Sequence, residues 1–477
     1  MENPKLLELL KSLSGKEREH LKDFAESRYF NQNARISTAL EMLLHDVEAP
    51  GDQELSKENL FKKLYPDTKY DDLKLRHLLS DLLKLTEKYL AVQHFLGNEL
   101  AIEIETLQSL HEKRLEKHFF SAERKAVGIV NKARSHDEIL FFQYKFQLIH
   151  QRNAVLSNGH TTQNHFIPAM DALDKFYYFS KLKLCCEMLS YEQSVNIVYD
   201  AEIINEVLYH FERHSYPQVP VIDIYYKILS LLLKPEDEAR YLEFLKDIKA
   251  NSHHFSLQEL REVYYYSLNY CIKMLNDGYD NYLHEIFDLY KTMLPADLLL
   301  EKNHISAWNY KNVVVTALRL NEFDWAKKFM EIYKEKLLPE FRESAHSYSL
   351  AKYYFYKKDF KHVLKLLLKS EFGDDLYNLD GKLMLMKSYY ELHETGQLLS
   401  LLENIKIFIQ KNKILNDTYK VSYLNLIKVI KKLAVLTQED SDKIAKLKAS
   451  LDKNVLIADI PWLEEKIEEL EMVESFG

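Results

Sequence analysis

Glycine and proline are scarce in this chain, ten of each in 477 residues. The prolines fall mostly at breaks, among them Pro66, Pro168, Pro217, Pro220, Pro235, Pro295, Pro339 and Pro461. Long uninterrupted stretches between such stops argue for an all-α protein. Cysteine is rarer still. Cys185, Cys186 and Cys271 make neither a paired framework nor a C-x-x-C site, which fits a reducing compartment. Charge interrupts the apolar residues of the first eleven positions, so they lack a signal peptide's core. No apolar run approaches the roughly 20 residues that a membrane helix needs. A cytoplasmic location is the expectation.

Chemistry-bearing motifs are missing as well. Zinc-protease chemistry needs two histidines at i and i+4 with a glutamate beside the first. His111-Glu112, His284-Glu285 and His393-Glu394 each begin that pattern, but Leu115, Asp288 and Gln397 stand at the second position. His210 and His214 share a helix face without further ligands around them. G-x-x-x-x-G-K-[ST], G-x-G-x-x-G and G-x-S-x-G are all absent, so phosphate cradles and nucleophile elbows lack their signatures. No metal, no cofactor and no enzymatic activity are expected. The formal charge of −9 argues against general binding of nucleic acid or anionic membranes. Aromatic clusters such as Phe176-Tyr177-Tyr178-Phe179 and Tyr264-Tyr265-Tyr266 lack a basic framework and read as packing.

What is present is a period. Residues 308–318, 345–355 and 380–390 are three similar apolar segments, 37 and 35 residues apart. Each is followed by a short polar break: Leu320-Asn321-Glu322, Lys357-Lys358-Asp359 or Leu392-His393-Glu394. A second apolar helix then begins with Phe323, Phe360 or Leu398 and continues at i+3, i+4 and i+7 spacing. Such a repeat is the mark of stacked helix pairs, since one hairpin cannot bury its apolar face alone. The segment Asn321-Glu322-Phe323-Asp324-Trp325-Ala326, with Ala351 and Tyr354 in the second copy, resembles the tetratricopeptide (TPR) family. Val314 and Met386 depart from that family's small position, and Ala317 from its aromatic one.

That resemblance implies a solenoid whose first helices line a concave groove for a partner protein or peptide. Carried over by position, the groove residues are Lys311, Asn312, Val315 and Arg319 in the first hairpin. Tyr348, Ser349, Lys352 and Tyr356 take those places in the second, and Leu383, Met384, Lys387 and Glu391 in the third. Lys352 and Lys387 recur at one position, which suggests a mildly basic groove that accepts an acidic segment; solvated charge is the ordinary alternative. The family's carboxylate clamp for chaperone tails is not reproduced, because Val315, Asp380 and Met384 occupy its places.

Residues 1–96 read differently. Helices are expected from Ser14 through Phe24, over 36–47, from Ser56 to Tyr65 and over 70–90. The order from Leu55 to Leu82 resembles the helix-turn-helix core of winged-helix domains that precede TPR-like regions in certain bacterial transcriptional regulators. That implies a wing strand over 91–96 and, as an alternative function, DNA binding through residues 55–90. The cations Lys74, Arg76, His77, Lys84 and Lys88 are there, but Asp71, Asp72, Asp81 and Glu87 are interleaved with them. Further helices are expected over 99–120, 121–136, 137–156, 166–178, 182–196, 202–214 and 221–233, with a polar loop over 157–164. Ser256-Leu257-Gln258-Glu259 carries a capping box and opens a helix through Leu275, succeeded by one over 281–293. The expected organisation is an N-terminal helical domain over 1–96, divergent hairpins over 97–305, TPR-like repeats over 306–414 and capping helices over 415–477. The functional expectation is a non-catalytic scaffold for protein–protein interaction.

Overall fold

The computed structural model describes residues 4–48, 56–130, 136–157, 166–195, 201–216, 218–368, 375–412, 415–437, 439–451 and 456–472. They form an all-α protein of twenty-three α-helices, most of them packed on their chain neighbours. None of these helices is long and apolar enough to cross a membrane. The chain divides into two compact units, Met1–Leu184 and Cys185–Gly477.

The first unit opens with α1 (Pro4–Ser12), α2 (Gly15–Glu26), α3 (Ala34–Glu48), α4 (Lys57–Leu64) and α5 (Asp72–Leu96), which share one core built on leucines such as Leu10, Leu40, Leu44, Leu79 and Leu82. Ser14 and Glu17 form a reciprocal capping box at the start of α2, while the Ser56 and Asp71 side chains cap α4 and α5. Tyr89 is buried against this core and its hydroxyl donates to the Glu17 carbonyl at 2.9 Å, tying α5 to α2. The wing strand expected over 91–96 is not there. The stripe Leu85, Tyr89, Val92 keeps helical spacing into that segment, so α5 continues to Leu96.

Two further boundaries differ from the sequence reading. The break expected between the helices over 99–120 and 121–136 falls instead at Lys113–Leu115, between α6 (Glu99–Glu112) and α7 (Glu116–Val130), which fold onto each other. Arg114 takes φ 56° there, and the Leu115 amide returns to the Leu110 carbonyl at 3.0 Å. The like-charge pairs Glu112/Glu116 and Lys113/Lys117 therefore straddle a turn instead of sharing a helix face. The two helices expected over 166–178 and 182–196 are one, α9 (Phe166–Val195), which comes after α8 (His136–Ser157). Phe179, Leu182 and Cys186 are fully buried and keep the apolar stripe running, with no glycine or proline between them to stop it. The sequence pattern does not predict α1, nor α12 (Glu238–Asn251). Most of the polar loop over 157–164 lies outside the described residues.

The second unit, beyond the end of α9, continues with α10 (Ala201–Phe211), α11 (Pro220–Leu233) and α12, then α13 (Leu257–Asn276) and α14 (Tyr282–Met293). The capping box at Ser256 and Glu259 is formed. A two-stranded antiparallel ribbon, β1 (Leu300–Glu301) and β2 (His304–Ile305), precedes the repeats. Lys302 and Asn303 both have positive φ at its turn, as a tight hairpin requires.

The three expected hairpins are then α15 (Ala307–Arg319) with α16 (Phe323–Tyr333), α17 (Pro339–Tyr356) with α18 (Phe360–Leu367), and α19 (Asp375–Glu391) with α20 (Thr395–Lys411). α21 (Asp417–Leu433), α22 (Ser441–Ala449) and α23 (Ile460–Met472) complete the order. First helices also pack on first helices, α15 on α17 and α17 on α19. All three hairpins turn by the same device. Asn321, Lys358 and His393 have φ of 61°, 58° and 57°. The next amide, of Glu322, Asp359 or Glu394, bonds back five residues at 2.9 Å, to Ala317, Tyr354 or Tyr389. This is the Schellman closure, which satisfies the carbonyls a helix end leaves open. Gly278 closes α13 in the same way. Counting from the turn acid, the residues eight before and four and eight after are buried in every hairpin: Val314, Ala326 and Met330; Ala351, Val363 and Leu367; Met386, Leu398 and Leu402.

A left-handed backbone costs a side-chain-bearing residue about 1–2 kcal/mol, whereas the extra chain entropy of glycine costs roughly 0.4–1 kcal/mol. Lys358→Gly is therefore expected to stabilise the chain by about 0.5–1 kcal/mol, and Asn321→Val to destabilise it. Urea unfolding measures both, and a Lys358→Gly chain less stable than the natural one would contradict this account of the turn.

Candidate partner-binding site

The positions that the repeat register assigns to the groove do not behave alike. Tyr348 and Lys352 stand one turn apart on α17, so both side chains reach the next first helix on the same side. There they meet one carboxylate. Lys352 Nζ lies 2.8 Å and 3.1 Å from the two oxygens of Asp380 on α19, and the Tyr348 hydroxyl donates to the same carboxylate. Lys387, at the position matching Lys352, pairs with Asp459 and lies 5.1 Å from the Trp462 ring centroid. Lys311 Nζ sits 4.0 Å over the Trp308 ring on α15.

These charges feel one another. Burial pushes the Lys352 ammonium down, and the positive charges of Lys311 and Lys387 push the same way, against the carboxylate of Asp459. Burial pushes the Asp380 carboxyl up, and Lys311 and Lys387 oppose that rise. Tyr423, on α21, is raised by burial first and then by Asp380, Tyr419 and Asp459. The site is thus a chain of three ammonium groups and two carboxylates, threaded along α15, α17 and α19 with α21 and the start of α23 beside it. Formally it keeps one positive charge. Such a cluster can exchange one carboxylate for another; Lys352 and Lys387 already show the geometry of holding one.

The remaining predicted residues lie apart from this chain of charges or contribute little to it. Arg319 is exposed; Tyr356 shows part of its side chain to solvent while its hydroxyl end is covered, and that burial raises its pKa against the lowering effect of the Arg319 charge. Asn312 is half-buried; its carbonyl accepts from Thr316 at 2.8 Å. The sequence reading did not find Asp380 as a partner of Lys352, nor Asp459, Trp462 and Tyr423. Asp380 had one signal, an acid at the start of the repeat that follows a recurring lysine. Asp459 lies outside the period and gave none.

On α5 the lysines and the arginine singled out by the sequence lie beside acids or aromatic rings. Arg76 pairs with Asp72 at 2.7 Å and Lys84 with Asp81 at 3.3 Å, while Lys74 and Lys88 lie over the rings of Tyr65 and Phe30. The histidines singled out by spacing are also engaged: His210 Nε2 is 2.8 Å from the Tyr216 hydroxyl, and its ring stacks on His214. Among the described residues, no three His, Cys, Asp or Glu side chains are grouped so as to hold a metal ion. Cys185, Cys186 and Cys271 are buried, and Cys271 lies 2.9 Å from the Tyr241 hydroxyl.

Compared with family models, curated proteins and solved structures, the chain matches none. The likeness to tetratricopeptide repeats therefore rests on the residues of its turns and first helices, and on the hairpins they form.

Two outcomes are expected from this geometry. Lys352→Met leaves Asp380 partly buried without its cation and is expected to cost about 1–3 kcal/mol, between the values for exposed and buried pairs. Adding Asp380→Asn should recover part of that loss; in urea unfolding, a double variant no more stable than the single one would show that the pair is not the cause. A pH effect comes from His346 on α17, whose Nδ1 lies 2.9 Å from the Tyr310 hydroxyl. Burial, then Lys334, lowers its pKa below the ordinary 6.5. The folded chain holds this imidazole neutral where the unfolded chain binds a proton, so stability falls as pH drops below about 6.5. A His346→Gln chain should show a shallower fall in Tm between pH 7 and 5, and an unchanged slope would assign the effect elsewhere.

Proposed function

We propose that this chain is a non-catalytic scaffold that binds a partner protein or peptide across the first helices of a TPR-like solenoid. What supports the reading is the repetition at one helical position. Lys352 and Lys387 each grip a carboxylate supplied by a later element, Asp380 in one case and Asp459 in the other. A face that holds carboxylates in register along successive hairpins, with tyrosines beside them, suits an acidic segment of a partner. Binding would proceed by exchange of the partner's carboxylates for those of the chain, so little lysine desolvation would be added on association. Nothing favours the alternative of a DNA-binding regulator over this one, since the cations of α5 are matched by neighbouring acids and rings.

A tagged full-length chain, used for capture from a native cell extract with and without nuclease, tests the proposal. A stoichiometric protein that survives nuclease is expected, and Lys352→Glu with Lys387→Glu should reduce its capture at least tenfold while the circular dichroism stays helical. Capture of nucleic acid alone would transfer the function to the N-terminal helices.

A further inference from the structure

The C-terminal helix meets α19 through three side-chain contacts that keep register. Asp459, at φ 58° just before α23, pairs with Lys387. Trp462 stands edge-on to Tyr390, with ring centroids 5.3 Å and planes 75° apart. Lys466 donates to Glu391 at 2.8 Å. Lys387, Tyr390 and Glu391 are at i, i+3 and i+4 and share one face of α19. Asp459, Trp462 and Lys466 are at i, i+3 and i+7, so α23 and its leading residue meet that face acid to base, ring to ring and base to acid.

Lys387 and Glu391 are also the positions at which the repeat register places a partner of the third hairpin. Resting on the scaffold reading, we propose that the α19 face from Lys387 to Glu391 is a helix-recognition surface, that α23 occupies it in cis, and that the partner competing for it is an amphipathic helix. That helix carries a carboxylate, an aromatic ring and a basic group at i, i+3 and i+7.

The contacts are of a kind that exchanges. Lys466 also holds Glu465 at 3.2 Å and Glu469 at 2.8 Å on its own helix, so α23 can withdraw with its ammonium still matched. Lys387 and Glu391 then face water, or the same two charges offered by another helix. The apolar cost falls on Trp462, Leu463 and Ile467, all buried where α23 joins the core of α19 to α22. A competing helix must therefore bring its own apolar stripe beside the three specifying groups, which makes the surface selective for amphipathic helices over extended acidic peptides.

The probe is a fluorescein-labelled synthetic peptide with the sequence of residues 458–472, titrated against the full-length chain by anisotropy. The chain carrying Asp459→Lys and Trp462→Ala is expected to bind the peptide at least tenfold more tightly than the natural chain, and adding Lys387→Glu should abolish that gain. Equal affinity of the two chains would overturn the proposal. Should the double variant lose its helical signal, hydrogen exchange on the natural chain decides. Amides of α23 are expected to exchange at least tenfold faster than those of α19, and exchange in step would overturn it. Peptide binding without any captured partner would remove the scaffold reading and keep the surface. Partner capture unaffected by excess peptide would do the reverse.

Discussion

A helix that ends must dispose of its last carbonyls, and in this chain the way it does so governs how the hairpins form and stack. The left-handed residue after α15, α17 and α19 turns the backbone sharply enough for the next amide to reach back five residues. That one bond closes the first helix and aims the chain into the second. Glutamate or aspartate comes directly after it at Glu322, Asp359 and Glu394, where a negative charge meets the positive end of the new helix dipole. A single residue thus finishes one helix and begins another, and the hairpin leaves no slack between them. Each hairpin still exposes apolar surface on its flanks, and it is covered by packing first helix on first helix and second helix on the next first helix.

Stacking first helices brings their lysines within range of one another, which would be costly without counter-charges. Asp380 and Asp459 supply them. Desolvation works against Lys352 and Asp380 alike, and pairing offsets it only while both partners stay in place. The tyrosine hydroxyl of Tyr348 adds a neutral donor to the same carboxylate, fixing its orientation. A site so arranged is charged but already coordinated, and it presents to any partner an exchange of contacts in place of bare attraction. The same arrangement recurs at Lys466, which is nearly fully buried and holds three carboxylates from two helices.

Much of the repeat was legible because its signals are local. The polar triplets at 320–322, 357–359 and 392–394 mark the turns although none contains glycine, and the recurrence of Lys352 and Lys387 comes from register alone. Val314 and Met386, larger than the family's small residue, are nonetheless fully buried, so the spacing held where the residue type did not. What the sequence hid was set by distance along the chain. Asp459 meets Lys387 from 72 positions away, outside any period. The split at Lys113–Leu115 depends on one left-handed arginine, a residue with no intrinsic turn preference, and polarity alone resembles a continuing charged helix. In α9 the difference ran the other way: two helices were expected with a short loop over 179–181, yet the apolar stripe through Phe179 and Leu182 does not stop there.

The fixed count across each turn has a bearing on how such an array can change in length. From the buried residue eight before the turn acid to the one eight after it, all three hairpins keep the same number of residues. The difference between the 37- and 35-residue spacings therefore falls outside that core, where one hairpin hands over to the next. One residue inserted just after the turn acid would rotate the second helix by about 100° and carry its apolar stripe off the core. The same residue inserted between hairpins would only lengthen a connection. An inserted or deleted residue is thus accommodated at the joints between hairpins and not across a turn, and the hairpin is the unit whose internal count the packing fixes.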